Sequence, residues 1–225
     1  MIRPPAKKAV RGTGVREAAA QETRGNILRA ATKVFARYGY DGGSVDKISS
    51  LAKSHDRMIY YYFGSKEGLF VAVLEDLYRR MDETEIKVAP DPSKPVEALE
   101  SVIRFKLHYY WNNPDFLALL NSENLHRGRH VSKLERKGEY SAVAVQNIAR
   151  ILASGAGQGL FRTDLSARDV FLLIASTAYF YASNRYTLAA FLGEDLGADD
   201  ALRHWEAFVI DSVLRVVRTN PPAAS

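Results

Sequence analysis

The sequence contains no cysteine. Disulfide frameworks, thiolate metal sites and cysteine nucleophiles are therefore excluded, and this composition fits a reducing compartment. Long apolar runs are also missing. The longest uncharged apolar stretch, residues 170–184, spans about 15 positions and includes Ser176, Thr177, Ser183 and Asn184, whereas a membrane-spanning helix needs roughly 20 apolar residues. We expect this stretch to form a buried helix.

The N-terminus has basic residues but no apolar segment behind them. A secretory signal requires such a segment, so we predict a cytoplasmic protein without membrane attachment. Residues 1–20 combine Pro4, Pro5, Gly12 and Gly14 with basic side chains and show no helical period. This pattern predicts a flexible basic arm.

Charge is distributed unevenly along the 225 residues, which carry a formal net charge of +5. Residues 1–66 contain 13 Lys and Arg against 5 Asp and Glu, and residues 67–225 contain 18 against 21. The formal net charge is therefore +8 for residues 1–66 and −3 for residues 67–225. Such asymmetry favours a polyanionic partner for residues 1–66, although a solvated basic tail without a partner remains an alternative.

Four short helices are predicted in residues 21–82. The first begins near Gln21 and ends at Gly39, and Ser44 is a good N-cap for the second, over 45–52. A turn then leads to a third helix over 56–63, and Ser65 caps a fourth over about 65–82, which links onward. Residues 21–70 therefore have the pattern of a helix-turn-helix DNA-binding domain.

The third predicted helix has an inner and an outer face. Ile59 and Phe63 are four residues apart and can pack inward. The outer face would present four side chains to the major groove: Arg57, Met58, Tyr60 and Tyr61. A small helical bundle with exposed aromatic residues is the alternative.

Three further residues are candidates for contact with DNA. Arg24 lies nearest the start of the first helix, and the hydroxyl of Ser44 lies at the start of the second. Lys66 is in the first turn of the fourth helix, where its ammonium group and the backbone amides can hold a phosphate together.

The runs TRGNILRAATKVFARYGYDGGSVDKIS and IYYYFGSKEGLF resemble the N-terminal domain of the TetR family of transcriptional regulators. Several motif elements recur at the family's spacing over about 50 residues. The resemblance implies an all-α fold, with an N-terminal three-helix helix-turn-helix domain followed by a larger helical ligand-binding and dimerisation domain. It also implies that Tyr61 and Lys66 contact phosphates and that residues 55–57 and 60 belong to the reading face.

The chain departs from the family pattern at the turn. Where the family usually has Ala-Gly-Val-Ser, this chain has Ala52-Lys53-Ser54-His55, and Arg57 replaces a small residue. Lys53 would be strained if the turn needs a left-handed residue, and His55 replaces the usual serine cap. We predict that Lys53, His55 and Arg57 carry this protein's own sequence preference.

The rest of the chain is predicted to be helical. Pro90, Pro92 and Pro95 mark the link to an effector-binding and dimerisation domain over 83–219, followed by a tail over 220–225. No strand precedes the segment Gly155 to Gly159, so we interpret it as a helix exit rather than a phosphate-binding loop. The predicted helices cover residues 96–112, 116–125, 132–154, 167–192 and about 202–219.

The last two predicted helices are more apolar than one buried stripe requires. The surplus, which indicates a partner surface, consists of Phe171, Leu172, Ile174, Tyr179 and Phe180 on one helix and Trp205, Phe208 and Val209 on the other. In the TetR family these helices form a four-helix dimer interface, so the resemblance implies a homodimer. A monomer with a thick core is the alternative.

Polar residues in apolar surroundings indicate a ligand cavity in this second domain. Each of them can equally be a satisfied structural residue. The runs NPDFLALLNSENLHRGRH and TAYFYASNRYTLAAFLG resemble the TetR branch that includes the pyrimidine-utilisation regulator, which leaves the effector unidentified. The candidate ligand-binding residues are Tyr109, Trp111, Asn121, Asn124, Tyr179 and Asn184.

Enzymatic function is not indicated. His126 and His130 would share a helix face and could bind a metal with Glu123 or Glu135, but Gly128 argues against a helix there. We expect no metal, no cofactor and no catalytic site.

The sequence predicts a ligand-responsive repressor that binds a palindromic site in double-stranded DNA as a homodimer. A small-molecule effector of unknown identity would release it. An activator or an effector-independent regulator is one alternative, and a helical enzyme or carrier that uses the same cavity is another.

Overall fold

The computed structural model describes residues 11–136, 139 and 142–219, and over these residues the chain is helical. The helices are α1 (Arg11–Gly42), α2 (Val45–Ala52), α3 (Asp56–Phe63), α4 (Lys66–Val88), α5 (Pro95–Asn112), α6 (Pro114–Leu125), α7 (Ala142–Gly157), α8 (Ala167–Leu192) and α9 (Asp199–Val217). A short 3-10 helix, Val131–Lys133, lies between α6 and α7. The predicted all-α fold is confirmed.

Two compact units divide the chain, one ending at Leu74 and the other beginning at Glu75, so the boundary lies within α4. Among the described residues, no helix combines the length and apolar character that crossing a lipid bilayer requires.

The N-terminal arm was predicted incorrectly over residues 11–20, which belong to α1. Residues 1–10 lie outside the described part of the chain. The sequence from Arg16 to Glu22 consists of good helix formers, and their propensity outweighs the preceding glycines. Gly39 has φ of 68° and kinks the helix near its end, at the position predicted as its stop.

The core of the N-terminal unit packs α1 and α4 around aromatic rings. The rings of Phe35 and Phe70 meet edge to face with centroids 4.9 Å apart, and Ile48 of α2 and Ile59 of α3 are fully buried. Gly43 connects α1 to α2, and a Cβ atom there would come within 2.5 Å of the Phe35 ring. Only glycine allows this close approach.

In the C-terminal unit, α8 packs against α5, α6, α7 and α9. Its core contains Leu99, Ile103, Leu119, Ile148 and Ile174, each no more than 1% exposed. Ser166 caps α8 by accepting a hydrogen bond from the backbone N–H of Asp169 at 3.4 Å.

The helix predicted over 132–154 begins later, at Ala142. The Glu123 carboxylate explains part of the difference, because it accepts hydrogen bonds from the backbone N–H groups of His130 and Val131, each at 3.0 Å. These bonds hold the chain in a turn that leads into the 3-10 helix. At the other end, α7 exits at Gly157, and Gly159 has φ of 74°, which agrees with the predicted helix exit.

Candidate nucleic-acid interface and ligand-binding region

The α2–turn–α3 segment has the helix-turn-helix arrangement predicted from the sequence. The Ser44 Oγ accepts a hydrogen bond from the backbone N–H of Lys47 at 3.3 Å and so caps α2. The turn ends at His55, which precedes α3 without a side-chain capping bond. Gly64 ends α3 with φ of 73°, and Ser65 then caps α4 through the N–H of Gly68 at 2.9 Å. Side-chain caps therefore fix the starts of α2 and α4, and Gly64 fixes the end of α3.

One face of α3 is buried and the other is open. Ile59 is fully buried, whereas Tyr60 is 53% and Tyr61 77% exposed. His55 and Arg57 are also exposed, and Met58 is half-buried. A two-turn helix with this division can place its open face against a groove of DNA.

Phe63, which the sequence places in the interior, is only half-buried. The exposed guanidinium of Arg24 lies over its ring, 4.9 Å from the centroid. Arg24 is therefore held beside the end of α3. This stacking leaves the guanidinium at the surface and restricts its motion.

Lys66 is held at the end of α1. Its Nζ donates a hydrogen bond to the backbone oxygen of Asp41 at 3.2 Å and lies 4.7 Å above the centroid of the Tyr40 ring. The ammonium group is thus positioned before any ligand arrives.

Lys53 has the left-handed backbone conformation in which a residue other than glycine is expected to be strained. Its φ and ψ are 50° and 45°, and its backbone N–H bonds to the oxygens of Ser49 and Ser50. The exposed side chain lines a groove of about 390 Å³ together with Arg29 and Lys33. Three cations therefore border the outer side of the α1–α2 pair.

The six candidate ligand-binding residues do not converge on one cavity. Three of them, with Ser183, form a polar cluster between α6 and α8. The Asn121 side chain donates to Ser183 Oγ at 3.0 Å and accepts a hydrogen bond from the Tyr179 hydroxyl. Asn124 donates to the same hydroxyl at 3.5 Å.

The other three candidates lie apart from this cluster. Trp111 stacks on Tyr181 at 6.1 Å, and Tyr181 lines a cavity of about 690 Å³ between the end of α8 and the start of α9. Tyr109 lines a different groove, of about 660 Å³, between α4 and α5. The side-chain amide of Asn184 donates to the backbone oxygen of Phe180, on its own helix, at 3.0 Å.

A buried ion pair in the C-terminal unit was not predicted from the sequence. Lys106 of α5 is 1% exposed, and its Nζ donates to Glu85 Oε2 of α4 at 3.3 Å. The signal was available: Lys106 lies on the inward stripe of α5, seven residues after Leu99 and three after Ile103. Because lysine is charged, the apolar pattern of α5 does not include this inward position.

Burial perturbs several ionisable groups around this region. It raises the pKa of Tyr109 to about 12 and also raises the pKa of Tyr110. Burial and then the nearby Glu85 carboxylate raise the pKa of Asp82. These groups are kept in their neutral forms more strongly than in water.

Three of the residues that the sequence suggested for a metal site are joined by a hydrogen bond and a ring contact with each other. His130 Nδ1 and Glu123 Oε1 are 2.5 Å apart in a buried hydrogen bond, and the rings of His126 and His130 are 5.8 Å apart. Within the described ranges, no three His, Cys, Asp or Glu side chains are grouped so that they could hold a metal ion.

Two family models match the chain. The model described as "Bacterial regulatory proteins, tetR family" matches residues 27–73. The model described as "Tetracyclin repressor-like, C-terminal domain" matches residues 95–213, which is more than half of the chain.

Curated relatives match over most of their length. The HTH-type transcriptional repressor NicS of Pseudomonas putida is 46% identical over 208 residues, covering 92% of this chain and 98% of NicS. The HTH-type transcriptional regulator RutR of Escherichia coli is 28% identical over 177 residues, covering 76% and 80% of the two chains. The match to RutR confirms the predicted resemblance to the branch with the pyrimidine-utilisation regulator.

Solved structures share the fold. A transcriptional regulator of Streptomyces coelicolor, SCO4942, has a TM-score of 0.63 at 23% identity, with 87% of this chain and 98% of that chain covered. FadR of Bacillus subtilis, solved with stearoyl-CoA, also has a TM-score of 0.63, at 20% identity and 84% and 96% coverage. The family model over residues 95–213 and the 46% identity to NicS show that the chain belongs to the TetR family of DNA-binding transcriptional regulators.

Proposed function

We propose that this TetR-family regulator is a repressor that binds a palindromic DNA site as a homodimer and releases it when a small molecule binds the C-terminal unit. The observation that carries the proposal is the open face of α3. His55, Arg57 and Tyr60 are exposed there, next to the exposed phenol of Tyr61. The repressor function is supported by the name and the 46% identity of NicS. The protein would act in the cytoplasm, where bacterial DNA is located.

The DNA-binding domain in this proposal spans residues 21–70. Arg57 and Tyr60 would read base edges, with His55, Met58 and Lys53 beside them. Arg24, Ser44, Tyr61 and Lys66 would contact phosphates. Ser44, Tyr61 and Lys66 each lie near a helix end, whereas Arg24 lies within α1 and its guanidinium is held over the Phe63 ring at the end of α3.

The homodimer would form through α8 and α9. Leu172, Phe180 and Phe208 are each about half-exposed although they are large and apolar. Leu172 and Phe180 are two four-residue steps apart, so they project from similar sides of α8. A second copy of these helices would remove this surface from water. The DNA-binding domains of the two copies would then contact two half-sites in the DNA.

The effector would bind the domain that spans residues 83–219. The cluster of Asn121, Asn124, Tyr179 and Ser183 supplies amide and hydroxyl groups that a small polar ligand could engage in place of their mutual hydrogen bonds. Ligand binding that favours one arrangement of the dimer would shift the population away from the DNA-binding form.

Selection of fragments from genomic DNA, followed by footprinting, tests the proposal. We expect recovery of a palindromic site with two protected half-sites and repression of a reporter placed behind it. Recovery of no palindromic site would reject the repressor. For the effector, a panel of small metabolites is screened for release of the selected fragment. A compound that releases DNA from wild type should lose potency when Asn121 is changed to Leu.

A further inference from the structure

Two lysines are held in the same way at the end of α1. Lys66 donates to the backbone oxygen of Asp41 at 3.2 Å and lies over the Tyr40 ring at 4.7 Å. Lys47 of α2 donates to the backbone oxygen of Gly42 at 3.2 Å and lies over the Tyr38 ring at 4.6 Å. The two ammonium groups are therefore anchored on adjacent carbonyl groups, each against its own tyrosine ring.

This arrangement leaves both cations available to a further partner. An ammonium group has three N–H donors, of which the backbone oxygen accepts one. In the part of the chain that the structure describes, neither Lys47 nor Lys66 has a carboxylate within salt-bridge distance. Lys47 is exposed and Lys66 is half-buried. Their positive charges are held in place but are not neutralised by an ion pair.

The position of Lys47 is suited to the DNA backbone. It lies three residues after Ser44, in the first turn of α2, where the positive end of the helix dipole and free backbone amides favour an anion. A cation held beforehand loses less side-chain entropy when it meets a phosphate. The ring of Tyr38 limits the directions that the lysine chain can take, as Tyr40 does for Lys66.

We propose that Lys47 is a further phosphate-binding residue of the DNA-binding domain, positioned by the ring of Tyr38 and the carbonyl group of Gly42. This inference rests on the proposed DNA-binding function and adds a contact on α2 to those at Ser44 and Lys66. Its ligand is the phosphodiester backbone, so the contribution of Lys47 is independent of base sequence.

A purely structural role would use the same contacts. Cations near a helix C-terminus satisfy its last carbonyl groups and interact well with the dipole, and Lys47 and Lys66 both donate to carbonyls in the last residues of α1. Such a role predicts an effect on stability and none on the salt dependence of DNA binding. The substitution Lys47→Gln separates the two roles because it keeps an N–H donor and removes the charge.

The test measures binding of the full chain to a fluorescent 30-base-pair duplex of random sequence between 50 and 200 mM salt. Each phosphate contact contributes about 0.9 to the slope of log K against log salt. With one Lys47 in each protomer, Lys47→Gln should reduce the slope by about 2 and leave the thermal midpoint unchanged. Lys94→Gln is the matched control, because Lys94 is an exposed lysine in the C-terminal unit, and its slope should equal that of wild type.

The ring of Tyr38 is tested in the same assay. Tyr38→Phe keeps the ring and should keep the wild-type slope, whereas Tyr38→Leu should lose part of it. Equal slopes for these two variants would remove Tyr38 from the proposal. A wild-type slope in Lys47→Gln, alongside a reduced slope in Lys66→Gln, would overturn the Lys47 contact and leave the regulator intact. Absence of wild-type binding at 50 mM salt would instead reject the DNA-binding function itself.

Discussion

Lys106 of α5 and Glu85 of α4 form an ion pair inside the C-terminal unit, with Nζ 3.3 Å from Oε2 and both side chains almost fully buried. The rings of Phe105 and Phe171 flank the ammonium group at 5.6 and 5.5 Å. The second oxygen of Glu85 is buried and has no hydrogen-bond partner among the described residues. Each side chain therefore compensates the buried charge of the other.

Removal of one member of this pair should be strongly destabilising. Lys106→Met leaves the Glu85 carboxylate buried without its cation, and such a change typically costs about 3–5 kcal/mol. The double variant Glu85→Leu/Lys106→Met buries no charge and should recover most of the lost stability, or exceed wild type. Urea unfolding measures both, with Lys87→Met as the control at an exposed position of α4. If the double variant were as unstable as Lys106→Met, loss of charge compensation would not explain the destabilisation.

The left-handed backbone of Lys53 predicts a gain in stability from glycine. A non-glycine residue in this region is strained by about 1–2 kcal/mol, and the extra freedom of glycine in the unfolded chain offsets part of this gain. Lys53→Gly should therefore unfold at a higher temperature than Lys53→Ala, which keeps the strain and loses the charge. Both should weaken DNA binding to a similar extent if the ammonium group meets DNA. Unchanged DNA binding in both variants would exclude Lys53 from the interface.

The start of α2 and the end of α3 follow from the sequence because local signals determine them. Ser44 bonds the first turn of α2, and the positive φ of Gly64 ends α3. The same signals locate the start of α8 at Ser166. Local chemistry of this kind acts over three or four residues, so a single sequence contains it completely.

Features that depend on distant partners were not predictable in the same way. The turn after α6 is held by the Glu123 carboxylate, seven residues before the His130 N–H that it accepts from. Lys106 is compensated by Glu85 across two helices, and Trp111 joins an aromatic stack with Tyr181 rather than the polar cluster at Asn121. Helical periodicity places each of these residues on a face but does not identify what packs there.

Arg57 is predicted to determine preference between DNA sequences. It is exposed on α3, and a bidentate contact between Arg and guanine contributes about 1–3 kcal/mol of discrimination. Arg57→Ala should reduce the ratio between binding of the selected site and of a site with one substituted base pair, at one position of each half-site. Tyr61→Phe should weaken binding to both sites alike. Uniform weakening by Arg57→Ala, measured at one salt concentration, would assign Arg57 to the phosphate contacts instead.

The exposed phenylalanines of α8 and α9 should hold the dimer together. Phe180 is 54% and Phe208 55% exposed, and a carboxylate in the centre of an apolar interface is strongly unfavourable. Phe180→Glu should convert the protein to a particle near the chain mass of 25.1 kDa, as measured by light scattering after size exclusion. Leu125→Glu, at an exposed apolar position of α6, is the control and should leave the mass at twice that value. A wild-type mass of one chain at micromolar concentration would contradict the dimer.

Asp82 predicts a pH dependence of stability. Burial, and then repulsion from Glu85, raises its pKa in the folded protein. Its contribution to stability is therefore fully present below the unfolded pKa of about 3.9, and it is lost as the pH rises through the folded value. At pH 7 the ionised carboxylate is a cost, so Asp82→Asn should raise the thermal midpoint there, and the gain should diminish as the pH approaches 4. Asp91→Asn is the control, because hydrogen bonds from Ser93 lower the pKa of Asp91, and it should give no gain at pH 7. A gain for Asp82→Asn that is equal at pH 7 and pH 4 would mean that the amide stabilises the fold by a route other than loss of the charge.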